Sequence, residues 1–222
     1  GENYSHHRAN TLVTDSRNTE EIVLLKKIVE LSRTLMRRNE RDYEVSRELK
    51  DLKRTVFNGT PVKGSISSIA IEDIMIFLNW KLASLFANNS ELPFIYRNNI
   101  TCYDSVVIED IRRFIQRNSD YKRLLEFFDN VCPPSFYSVN NLGHSGFQLD
   151  AYCHATNPLR NYASIETQRL IYRYLIDKDT NVTIEDYKRA NEVCEYLNSR
   201  IDANDEYMYE ISSLLNWQLT KK

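Results

Sequence analysis

From Ser67 to Asn88 the chain places Ile71, Ile74, Met75, Leu78, Leu82, Leu85 and Phe86 at helical spacing. That periodicity predicts one long helix. A surface helix carries a single apolar stripe opposite a polar face. This one is too apolar for that and is expected to cross the core. The rest of the chain must therefore supply layers to cover it. Residues 19–39 predict a second helix, with Ile22, Val23, Leu25, Ile28, Val29, Leu31, Leu35 and Met36 on its inner side. Thr19 and Glu21 stand at its start, and Arg33, Arg37, Arg38 and Arg41 gather at its end, where the helix dipole favours cations. Thr183-Ile-Glu-Asp186 is a capping box and opens a third long helix, to about residue 217.

The remaining segments are shorter. Tyr43, Val45, Val56, Phe57 and Val62 predict two or three short strands within 42–63, with a turn at Asn58-Gly59. Leu92 to Arg97 reads as extended and part-buried. Residues 104–118 and 119–130 read as short helices, 133–151 as loop or short strand around Gly143 and Gly146, and 158–176 as a helix begun by Pro158. The expectation is an α+β fold, helix-dominated with a small antiparallel sheet, forming one domain or part of one.

With 42% hydrophobic and 27% charged residues the 222-residue chain is globular rather than disordered. A net charge of −2 excludes the global basic field of non-specific nucleic-acid binders, so any such contact must be a local groove. Cys102, Cys132, Cys153 and Cys194 form no CxxC pair, which argues against zinc and for reduced thiols. Sequons at Asn58, Asn88, Asn99 and Asn181 are expected by chance in so asparagine-rich a chain. No signal peptide or apolar run of membrane length is present, and an intracellular, cytoplasmic setting is expected.

The chemistry concentrates in His144–Arg169, HSGFQLDAYCHATNPLRNYASIETQR. Pro158 is a helix-start signal, so Arg160 is expected in a first turn, where free backbone N–H groups and the dipole favour an anion. Its guanidinium is a planar fork suited to phosphate. Tyr152, His154 and Tyr162 lie close by and can stack on bases or bond sugars. By spacing alone an ordinary turn with an exposed arginine is the better reading.

Tyr152-Cys-His-Ala-Thr-Asn-Pro-Leu-Arg160-Asn-Tyr162 resembles the signature of the RNB family of 3′-to-5′ exoribonucleases. Further matches follow the family's order: Ile71-Glu72-Asp73-Ile-Met-Ile-Phe-Leu-Asn79, Leu92-Pro-Phe-Ile-Tyr-Arg97, and Asn198 to Glu206. Arg41-Asp42-Tyr43 is a weaker one. The chain departs from the signature at Asn157, Asn161, Ser164 and Gln168, while Arg169 remains.

The resemblance implies roles. Arg160 would contact the phosphate near the scissile bond, Glu72 the ribose of the 3′-terminal nucleotide, and Glu206 the leaving group. Tyr43 would stack on a base, and Tyr152, His154, Tyr162 and Arg169 would complete the RNA contacts. By residue type alone Glu72 is a helix-surface carboxylate, Glu206 part of a solvated acidic face, Tyr43 a strand core residue, and His144 and His154 structural histidines. Family members hydrolyse single-stranded RNA with magnesium held by an aspartate run that is absent here. Asp177, Asp179, Asp202 and Asp205 read as solvated charge. The resemblance therefore implies the C-terminal half of an RNB catalytic domain over residues 1–222, packed against an upstream segment that carries the aspartates. The alternative is an inactive RNB-like module that binds RNA or serves as a scaffold.

Overall fold

The structure, a computed structural model, describes residues 5–17, 19–36, 65–100, 105–117, 123, 134–179 and 181–220. The strands expected within 42–63, Tyr43 and most of the helix expected over 119–130 lie outside the described residues. Helices α1 (His6–Thr14), α2 (Glu20–Met36) and α3 (Ile66–Ala87) come first. Strand β1 (Tyr96–Asn98), helix α4 (Ser105–Arg117), strand β2 (Phe136–Ser138), helix α5 (Tyr162–Ile171) and helix α6 (Ile184–Thr220) follow. The fold is helix-dominated with a two-stranded antiparallel sheet, Tyr96 facing Ser138 and Asn98 facing Phe136.

Helix α3 starts where a side chain can cap it: Ser65 is extended and its hydroxyl accepts from the Ser68 N–H. Helix α1, not expected from the sequence, begins in the same way at Ser5. Its Asn10 carboxamide reaches the free N–H of Ile66, tying α1 to the first turn of α3. Helices α1, α2 and α3 pack on one another.

The far half of α3 belongs to a second core. Ala83 and Phe86 meet Phe94, Tyr96, Ala151, Cys153, Ala155 and Tyr174. Phe86 stacks on Phe94 with ring centroids 3.9 Å apart. A further cluster of Ile95, Tyr137, Ala163, Cys194 and Leu197 closes the sheet between α5 and α6. The expected core crossing by α3 is thus realised, although Ile71, Leu78 and Leu85 leave an exposed stripe along one side.

The expected helix over 158–176 starts late. Asn161 is extended (φ −134°, ψ 107°), and the first helical residue is Tyr162. Residues 157–161 instead close a separate turn, with the Asn157 carbonyl accepting from the N–H groups of Arg160 (3.3 Å) and Asn161 (3.0 Å). Pro158 starts that turn, not the helix. At the other end the chain widens into a π-helical turn over Tyr172–Ile176. The capping box of α6 forms as expected: the Thr183 N–H donates to Asp186 at 2.8 Å and the Asp186 N–H to the Thr183 hydroxyl at 3.3 Å.

Candidate nucleic-acid interface

Residues 151–161 run without regular secondary structure across the end of the sheet and along α3. Hydrogen bonds from three directions hold them. The Arg97 N–H of β1 donates to the Tyr152 carbonyl at 2.8 Å. From α3, Asn79 accepts the Ala155 N–H at 3.0 Å and donates to the hydroxyls of Tyr152 and Thr156. The Cys153 thiol donates to the Asn79 carbonyl. From α5, the Gln168 amide donates to the Ala155 carbonyl at 2.6 Å, and the Ser164 hydroxyl accepts the Asn157 N–H at 3.4 Å.

The segment ends in the Pro158–Arg160 turn, where Leu159 and Arg160 are both exposed. Arg160 lies before the α5 N-cap rather than in its first turn, because Asn161 breaks the helical run. Among the described residues its guanidinium has no ion-pair or hydrogen-bond partner. The two arginines that follow are paired: Arg169 with Glu166 at 3.0 Å, and Arg173 with Asp179 at 2.7 Å and with Asp186. Asp179 is thus an ion-pair partner rather than plain solvated charge.

The aromatic candidates separate. Tyr152 is only 4% exposed and packs against His144, Phe147 and His154. Burial pushes its phenol up to about 12. It is a core residue, and the expectation that it stacks on a base is corrected: the ring has no free face. His154 is partly buried, with Nδ1 2.7 Å from the Tyr137 hydroxyl and 3.4 Å from the Asn161 amide nitrogen. Two donors at Nδ1 make it the acceptor and leave the proton on Nε2. Burial first, and the Arg97 charge second, lower its pKa to about 4, so the ring is neutral at pH 7. Arg97 stacks on Tyr137, 4.5 Å from the ring centroid. Tyr162 is half exposed at the start of α5, donates to Glu166 at 2.9 Å and meets Tyr196 edge-on.

Glu72 lies on the α3 face that carries the segment, since Glu72, Ile76 and Asn79 recur at helical spacing. Ile76 and Tyr152 share a packing cluster, and the Glu72 charge adds to the upward shift at Tyr152. Helix α6 grips β2 through Asn198, whose amide accepts from and donates to the Tyr137 backbone at 2.7 and 2.9 Å. Glu206 is exposed two turns further along α6, and no described contact joins it to Arg160 or Glu72. Sequence reasoning missed Asn79, Tyr137, Arg97 and Gln168 as the residues that hold the segment. The one visible signal was a lone amide, Asn79, on a mainly apolar helix.

The chain that presents this pinned segment matches a family model described as the RNB domain over residues 2–177. The chain belongs to the RNB domain family. The Ribonuclease R of Ureaplasma parvum serovar 3 is 24% identical over 51% of this RNB chain and 20% of its own length. Among solved structures, Mycoplasma genitalium RNase R in complex with ribose-methylated single-stranded RNA aligns with a TM-score of 0.58 at 17% identity, over 88% of this chain and 36% of that one. Yeast Ssd1, described as a pseudonuclease, aligns with a TM-score of 0.59 at 15% identity, over 88% of this chain and 28% of that one. The chain thus spans about a fifth of the curated relatives and about a third of these structures.

The departures from the RNB signature carry internal bonds here. Asn161 bonds His154, Ser164 bonds Asn157, and Gln168 bonds Ala155. Among the described residues no three His, Cys, Asp or Glu side chains gather to hold a metal ion. Glu166 and Asp186, both largely enclosed, are neutralised by arginine. The described residues therefore do not fit a divalent cation on their own.

Proposed function

We propose that this chain is the C-terminal, RNA-clamping portion of a single RNB domain acting as a 3′-to-5′ exoribonuclease on single-stranded RNA. The observation that carries the reading is Arg160: it is exposed and unpaired among the described residues, at the tip of a turn whose supporting segment is tied down at nearly every residue. A guanidinium carried on a tied-down turn, with its donors free, takes a phosphate by charge-assisted, bidentate hydrogen bonds. Glu72, on the α3 face beneath, would in this reading accept from ribose hydroxyls, the contact that separates RNA from DNA. His154 offers a neutral Nε2–H, and Tyr162 a half-exposed ring. Arg169 serves mainly to hold Glu166. Glu206 and Tyr43 belong to the site through motif order alone.

The aspartates that would hold magnesium in this reading lie outside the chain, on an upstream segment of the same or another polypeptide. The exposed Ile71, Leu78 and Leu85 stripe on α3 is the surface proposed to receive that segment. The pseudonuclease likeness favours a second reading, an RNA-binding module without hydrolysis.

The test is Arg160→Ala in the full-length protein, with binding and decay of a labelled single-stranded RNA followed separately. Arg160→Ala is expected to weaken binding about tenfold, the scale of one charge-assisted phosphate contact, and to slow decay at least as much. Wild-type protein that binds RNA without degrading it supports the second reading. Unchanged binding and decay in the variant would remove Arg160 from the site and overturn both.

A further inference from the structure

Asn79 is 2% exposed, on the most apolar of the described helices. A buried amide there is costly unless every donor and acceptor is satisfied. Leucine would serve packing alone equally well. Instead the side chain accepts the Ala155 N–H (3.0 Å) and donates to the Tyr152 (3.1 Å) and Thr156 (3.3 Å) hydroxyls. Its backbone carbonyl accepts the Cys153 thiol at 3.2 Å. One residue thus holds Tyr152, Cys153, Ala155 and Thr156 of a segment that has no ladder of its own. Only an amide offers the acceptor and the donors together.

The ties continue to the turn. Thr156 directly precedes Asn157, whose carbonyl closes the turn onto Arg160 and Asn161. Gln168 holds the opposite side of Ala155. A rigid helix, one amide and a closed turn therefore connect α3 to the exposed guanidinium.

We propose that Asn79 is a positioning residue: by fixing residues 152–156 on α3 it sets where the Leu159–Arg160 turn presents its guanidinium to RNA. The inference rests on the reading of Arg160 as the phosphate contact. It makes Asn79 act through Arg160, and a double-mutant cycle separates that from general stabilisation.

The experiment measures the affinity of the full-length protein for a fluorescein-labelled single-stranded RNA by anisotropy. The proteins compared are wild type, Asn79→Ala, Arg160→Ala and the double variant. Arg160→Ala is expected to weaken binding about tenfold. Asn79→Ala is expected to cost about three- to tenfold, and the double variant should match Arg160→Ala within about twofold. Wild-type affinity in Asn79→Ala, or losses that multiply in the double variant, overturn the proposal. Circular dichroism checks that each protein is folded at the assay temperature. If Asn79→Ala is not, Thr156→Val decides in its place. It removes one outer bond and is expected to cost about two- to threefold, but nothing when combined with Arg160→Ala; unchanged affinity overturns the proposal. An Arg160→Ala protein that binds like wild type fells the phosphate reading and this inference with it. A weakened Arg160→Ala beside a normal Asn79→Ala fells this inference alone.

Discussion

Asn79, Asn98, Asn99 and Asn198 each use both ends of the amide to hold parts of the chain distant in sequence. Asn98 accepts from Leu142 and donates to the Asn140 carbonyl. Asn99 accepts from Gly146 and reaches Ser135, and Asn198 brackets Tyr137. The asparagine-rich composition is put to structural use at these positions. His144 and His154 differ in that burial keeps them neutral. His144 is lowered to about 3 and His154 to about 4, with burial as the main cause and Arg97 adding to it. Below the ordinary value of 6.5 the unfolded chain binds protons that the native chain refuses. Stability must therefore fall as pH drops from about 6.5 toward 4, with unfolding taking up close to two protons. Urea midpoints measured from pH 7.5 to 4.5 check this. His154→Gln should flatten the slope, and an unchanged slope would mean that the ring is charged in the native state.

Among the elements, α6 depends most on one side chain. Asp186 accepts from the Thr183 backbone and hydroxyl and also pairs with Arg173, which holds its pKa down at about 2. Asp186→Ala is expected to cost about 1–3 kcal/mol, more than a simple cap, since it also frees Arg173. Thermal melting should show the loss, and a difference under about 0.5 kcal/mol would reduce the pair to surface charge. The capping box was legible in the sequence because its partners are three residues apart. The long apolar helix was legible for the same reason: its signal is local repetition. The start of α5 was not. Pro158 sends a local helix signal, but Asn161 is drawn out of helical geometry toward His154 and Tyr137, and that competition is tertiary. Helix α1 was passed over although Ser5 marked its start. Of the candidate site, Arg160 and the order of the motifs could be read from residue types. The burial of Tyr152 and the work of Asn79 could not, because both depend on which face of α3 meets the segment.

At the scale of the molecule, α3 serves two cores, the N-terminal helices at one end and the sheet with α5 at the other. Its stripe of Ile71, Leu78 and Leu85 stays about half exposed. The spacing of seven residues keeps the three on one side, an apolar ribbon that water disfavours. If the proposed upstream segment covers it, Leu78→Lys in the full-length protein should cost about 1–3 kcal/mol in chemical denaturation. A cost under about 0.5 kcal/mol would mean that the stripe faces water in the whole protein. Segment 151–161 carries a separate consequence. It has no helix or strand to keep it in shape, yet folding alone freezes it. Ordering a residue's backbone costs on the order of 1–2 kcal/mol of entropy. Here that cost falls on the folding equilibrium, so an incoming ligand meets a backbone already set and has little to order beyond the Arg160 side chain.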